Sequence, residues 1–177
     1  MRKRLSIVAM TAILLFCSAC KATRNIGPLF GRDLYCDDGQ VADACFEQVL
    51  KALEEQDREA LKAIFSKQVL SEVNNMDERI NYLFSFFQGR IASWENSAWC
   101  SDDSIRDRKR TTSIKSWYSV DTDQDEYLFF LLYYPTDEQN PDNEGLYALR
   151  VIKAKDKETQ FTYWLDMNIP GIYKPEE

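Results

Sequence analysis

Apolar residues recur every three to four positions through the first half of the chain. Through much of the second half they recur every second position. Phe46, Val49, Leu50 and Leu53 fall at i, i+3, i+4 and i+7, which predicts a helix over Val41–Glu55. Gln56-Asp57 breaks that stripe, and Asp57 is a good N-cap for a second helix from Arg58 to Ser66 with Leu61, Ile64 and Phe65 inward. Lys67–Asn74 carries no assignable period. Asn75, with Glu78 three residues on, predicts a capping box and a third helix. Ile80, Leu83, Phe84 and Phe87 form its buried face, and Gly89 is placed as a left-handed stop.

From Arg90 the period shifts toward two. A first strand is expected over Arg90–Trp99, followed by a turn at Ser101-Asp102-Asp103-Ser104. Thr111–Val120 alternates Ile114, Ser116, Tyr118 and Val120 against Lys115, Trp117 and Ser119, the pattern of a half-buried strand. After a turn at Asp121–Asp125, Tyr127–Tyr134 is apolar on both faces and reads as a central strand. Pro135–Glu144 is a polar loop, Leu146–Ala154 and Phe161–Ile169 are the last two strands, and Pro170-Gly171 ends the sheet. Three helices followed by a meander of about five strands define an α+β domain, with the helices packed on one face of a curved antiparallel sheet.

The extreme N-terminus follows neither period. Arg2, Lys3 and Arg4 precede an apolar run, Leu5–Phe16, which is too short for a permanent span and ends in small residues. That is the pattern of an export signal. Cys17-Ser18-Ala19-Cys20 resembles a bacterial lipobox, although Leu is usual where Cys17 stands. The resemblance implies cleavage after Ala19, acylation of Cys20, and a domain held at the extracytoplasmic face of a bacterial membrane. Two acyl chains anchor stably, at ~0.8 kcal/mol per buried CH₂. Residues 1–19 are then the signal peptide, 20–40 the lipidated start and tether, 41–173 the domain, and 174–177 a tail.

Composition narrows the partners. The chain has 177 residues and a net charge of −7, and the three leader cations make the mature part more acidic still. Such a surface repels phosphate backbones, so nucleic acid is not expected as a partner. The one basic cluster, Arg106–Arg110, reads as a solvated loop or strand end. Cys36, Cys45 and Cys100 are an odd set, so at most one bridge forms among them, and their spacing leaves every pairing open. It also matches no zinc pattern, and no metal or cofactor is expected.

Gln48–Leu61, in which one helix breaks at Asp57 and a second follows, resembles the opening of nuclear transport factor 2-like proteins. The cone-shaped SnoaL-like cyclases and ketosteroid isomerases share that opening. Phe86-Phe87-Gln88-Gly89-Arg90-Ile91, Asn140-Pro141-Asp142-Asn143-Glu144-Gly145-Leu146-Tyr147 and Pro170-Gly171-Ile172-Tyr173 resemble a family of bacterial lipoproteins classed only as a domain of unknown function. The resemblance implies a cone-like fold and supplies no catalytic residues.

The chain contains no histidine, which excludes Ser-His-Asp and Cys-His nucleophilic machinery. Proton transfer by an Asp with a Tyr survives as a catalytic alternative of isomerase or cyclase type, and Asp166 lies on or beside the last expected strand. Asp121-x-Asp123-x-Asp125 has the start of a calcium loop, but Glu126 and Leu132 stand where Gly and Glu are required, so it reads as a hairpin turn. Trp94, Trp117, Tyr118, Tyr133, Tyr147 and Trp164 crowd the strands, where they either fill the core or line a cavity for a small apolar or sugar-like ligand. The expectation is a non-catalytic module that binds such a ligand or an envelope protein. The sequence sets no oligomeric state.

Overall fold

The computed structural model describes residues 36–160 and 168–174, all within one unit, Asp33–Glu177. Four helices come first: α1 (Cys36–Glu54), α2 (Arg58–Ile64), α3 (Lys67–Glu72) and α4 (Met76–Phe86). A sheet follows, formed by β1 (Ile91–Arg106), β2 (Lys109–Thr122), β3 (Glu126–Asp137) and β4 (Gly145–Lys153). A short helix, α5 (Lys157–Gln160), and a two-residue strand, β5 (Gly171–Ile172), complete the described elements. The α+β class of the sequence pattern holds, with a curved, open, five-stranded sheet in the order β1-β2-β3-β4-β5.

Several expectations are corrected. α1 starts at Cys36 rather than Val41, so the breakers Asp37-Asp38-Gly39 lie inside a helix. The Trp99 side chain lies against Gly39, 3.1 Å from where a Cβ would stand, and this tertiary contact outweighs glycine's poor helix propensity of ~1 kcal/mol. The unassigned segment 67–74 contains α3, capped by the Ser66 hydroxyl, which accepts from Val69 N at 3.2 Å. Among the described residues four helices thus precede the sheet. The Asp57 cap forms as expected, accepting from Ala60 N at 2.9 Å. Asn75 makes no side-chain cap; its Oδ1 accepts from Arg79 Nε at 2.9 Å instead. Gly89 takes the expected left-handed conformation, with φ of 91°.

The expected turn at Ser101–Ser104 is strand. β1 runs straight through it, and the chain reverses at Asp107-Arg108, whose φ values of 51° and 65° suit a tight two-residue hairpin. The sheet is not wholly antiparallel, because β5 pairs parallel with β4 through Ala148–Gly171 and Leu149–Ile172. The fifth strand of the described residues is β5, and most of the expected strand Phe161–Ile169 is not among them. Residues 161–167 lie outside the described residues, and Asn168 and Ile169 are not strand.

The helices cover one face of the sheet. Phe46 of α1 stacks on Tyr118 with centroids 3.7 Å apart and planes 6° apart, and meets Trp94 and Phe129 edge-on at 5.3 Å each. Phe87 reaches the same layer through Phe129 and Tyr127. These rings fill the space between the helices and the sheet. A smaller apolar cluster of Phe130, Leu132 and Ala148 lies on the opposite face, with Trp117, Tyr134 and Tyr147 against it.

Candidate functional site

A cleft of about 410 Å³ opens where α1, the end of α2, the end of β3 and the start of β4 meet. α1 contributes Val41, Ala44, Cys45 and Gln48, at helical spacing beside the buried stripe. Ala63, Ile64 and Phe65 form a second wall. Tyr133, Tyr134 and Pro135 form the third, and Glu144 and Gly145 close the rim.

Local features position these groups. A register shift between Leu132 and Tyr133 sets Tyr133 opposite Leu146, on the helix-covered face. Gly145 sits at φ of 129°, and a Cβ there would stand 2.8 Å from Ser66 N. Only glycine lets β4 approach the α2–α3 link so closely, and Ser66 N then donates to Leu146 O at 3.0 Å.

The loop between β3 and β4 is tied to Asp137, which is 6% exposed. Its Oδ1 accepts from Thr111 Oγ1 (3.1 Å), Gln139 N (3.2 Å) and Asn140 N (3.0 Å), and its Oδ2 accepts from Asn143 Nδ2 at 3.0 Å. Burial opposes ionisation of Asp137, but these hydrogen bonds outweigh it and hold the carboxyl below its ordinary range. In turn Asp137 N donates to Glu144 Oε1 at 3.0 Å, which fixes the only charged side chain among the described residues that line the cleft.

Cys45 forms part of the floor. It is 3% exposed, and desolvation pushes its thiol up to about 12, so it is protonated and non-nucleophilic at neutral pH. Burial, followed by the proximity of Cys45 and Glu144, also raises Tyr133 above the ordinary phenol value. The cleft thus offers apolar walls, two phenols, one amide and one carboxylate. That set suits recognition of a small molecule by contact and hydrogen bonding.

The sequence-derived aromatics do not form one site. Tyr133 lines the cleft. Tyr118 is 1% exposed in the core, and Trp94 packs against it at 5.8 Å. Trp117 is on the far face, against Phe130 at 5.3 Å. Tyr147 meets Tyr134 edge-on at 5.8 Å. Trp164, Asp166 and Cys20 lie outside the described residues, as does the side chain of Cys36. Cys45 and Cys100 are free thiols, the first buried and the second exposed.

A carboxylate–tyrosine pair does exist. Tyr118 OH donates to Asp43 Oδ1 at 3.0 Å, and Asn96 Nδ2 donates to the same oxygen at 2.7 Å. Neither Asp43 nor Tyr118 lines the cleft. The Asp121–Asp125 carboxylates are each engaged elsewhere: Asp121 with Ser93, Asp123 with Arg90, and Asp125 with Lys153. Gln48, Glu144 and Gly145 are not among the site residues expected from the sequence. Their signal in the sequence is membership of the Gln48–Leu61 and Asn140–Tyr147 motifs.

The model of the family described as a domain of unknown function (DUF5104) matches residues 48–154. The chain belongs to this family. The DUF5104 match opens at Gln48 on α1 and closes just after β4, so it takes in the α2, β3 and β4 walls of the cleft and the whole Asp137 loop. Val41, Ala44 and Cys45 precede it. No curated protein matches the chain. Among the described residues of this DUF5104 protein, no helix is long and apolar enough to cross a membrane.

Proposed function

We propose that this protein is a lipid-anchored, extracytoplasmic bacterial lipoprotein whose domain is a nuclear transport factor 2-like cone. The cone serves as a non-catalytic binding module for a small ligand. The observation that carries this reading is the cleft of about 410 Å³ between α1, α2 and the β3–β4 loop, within the size range of small-molecule sites. Its walls favour an apolar or aromatic body stacked against Tyr133. Glu144, the sole charge among the described lining residues, favours a cationic or hydrogen-bond-donating end. The protonated thiol and the absence of histidine support binding over turnover. A catalytic Asp/Tyr reading would rest on Asp43–Tyr118, but Tyr118 is 1% exposed and offers substrate no approach.

The leader supports the anchor: Arg2, Lys3 and Arg4, the apolar run, and Cys20 after Ser18-Ala19. Two measurements test the whole. A fragment screen by ligand-observed NMR, with Tyr133→Ala and Glu144→Gln as controls, should return hits whose binding both substitutions weaken at least fivefold. Hits that ignore both, or none at all, would remove the ligand reading. Labelled palmitate should appear on the wild type and vanish in Cys20→Ala; label on both would remove the anchor.

A further inference from the structure

We propose that two copies of this chain join edge to edge through β1, antiparallel, about a two-fold axis at Cys100. β1 is the sheet's first strand, and among the described residues no strand pairs with its outer edge. Residues 100–109 are all exposed. Exposed edges are normally blunted by charged side chains, lysine above all, by proline or by bulges. Here the register shifts sit only at the root, at Ile91/Ser93 and Asn96/Ala98, and Ala98–Ile105 contains no lysine, arginine or proline; its two charges are Asp102 and Asp103, the latter bound by Arg110 and Thr112. What remains is a regular run of backbone with unused hydrogen-bonding capacity.

The faces fix the register. Trp94 packs in the core and Asn96 bonds to Asp43 on α1, so both face the helices. Ser97 is the extra residue of the bulge. Beyond it, Ala98 pairs with Trp117 and Cys100 with Lys115 on the far face, whereas Trp99, Asp103 and Ile105 face the helix side with Ser116, Thr112 and Arg110. Opposed residues of two paired strands share a face, so the axis must pass through a residue rather than between two. An axis at Asp102 sets two carboxylates face to face, which is destabilising. An axis at Ser101 sets Ile105 against Asn96. An axis at Cys100 sets Asp102 against Ala98 and Asp103 against Asn96. With the bulge counted, it also sets Ile105 against Trp94.

That last pairing decides it. Ile105 is 76% exposed, far more than any other large apolar side chain among the described residues. Only the Cys100 register gives it an apolar partner on its own face and opposes no like charges. A second copy in this register covers Ile105, and the product is one continuous sheet with the two Cys100 thiols adjacent.

Sedimentation of the full chain, in detergent where it carries its acyl anchor, should show a reversible dimer. A short bismaleimide should join the copies through Cys100 on both, as read by peptide mass mapping. Ile105→Lys, at a position that contributes nothing to the folded core, should weaken the dimer at least tenfold with an unchanged circular dichroism spectrum. Ser101→Thr should leave it within twofold. A monomer at all concentrations, a dimer cross-linked at other sites, or an Ile105→Lys dimer of unchanged strength would each overturn the proposal.

Discussion

Asp137 and Asn143 are joined by a hydrogen bond of 3.0 Å from Nδ2 to Oδ2, and this bond closes the loop that carries Glu144 to the rim of the cleft. One buried carboxylate thereby organises seven residues, 138–144, that have no regular structure beyond the single 3₁₀ turn at Pro141–Asn143.

Removing that charge should loosen the loop without unfolding the sheet. Asp137→Asn is expected to cost about 1.5–3 kcal/mol, the range for a hydrogen bond to a charged group. The pH dependence has a definite sign. The folded state holds Asp137 below its ordinary value, so its contribution is present above about pH 4 and is lost as pH falls through the folded value. Urea midpoints taken from pH 6 down to pH 3 should fall more for the wild type than for Asp137→Asn. Parallel curves would show that Asp137 has no such role.

Gly145→Ala should be far more costly than an ordinary surface substitution. It meets both a φ of 129° and a backbone nitrogen 2.8 Å away, so relief requires β4 to part from Ser66. A loss of about 1–3 kcal/mol is expected for a non-glycine residue held there. Thermal unfolding checks it, and a melting temperature within a degree of wild type would contradict the contact.

Phe46→Ala should be the most damaging of the core truncations. Its ring is fully buried and meets Tyr118, Trp94 and Phe129, so about 3–5 kcal/mol is at stake. Phe130→Ala, on the smaller far-face cluster, should cost less. Denaturant titration of the pair orders the two clusters, and the reverse order would contradict this reading.

The two described thiols should react at very different rates. Cys100 is exposed, while Cys45 is buried with its thiol pushed up to about 12. At pH 8, a disulfide reagent such as Ellman's should modify Cys100 quickly and reach Cys45 only after denaturant is added. Because the folded Cys45 value is raised, its contribution to stability is present below about pH 8.5 and declines as pH rises beyond it. Mass mapping that finds Cys45 modified in the native protein would refute the closed floor.

What could be read from the sequence was what repeats locally. Phe46, Val49, Leu50 and Leu53 announce α1 because a helix buries one stripe, and Asp57 announces α2 because its cap bond spans three residues. The tip of β1 was hidden for the opposite reason. Ser101-Asp102-Asp103-Ser104 is solvated on both faces, so no alternation marks it, and only pairing with residues 111–114 makes it strand. The Asn75 capping box failed because Arg79 competes for the same side chain. The cleft was illegible because four separate segments build it, and because the expected aromatics part company: Trp94 and Tyr118 pack in the core, Trp117 lies on the far face, and Tyr133 lines the cleft.

The bond from Asp137 N to Glu144 Oε1 has a thermodynamic consequence. The side chain that would meet an incoming cationic group is already immobilised, so the entropy of ordering it is lost when the chain folds and not when a ligand arrives. Affinity at the rim and rigidity of the loop are then one quantity measured twice. A substitution that frees the loop should weaken binding even where every atom that touches the ligand is unchanged.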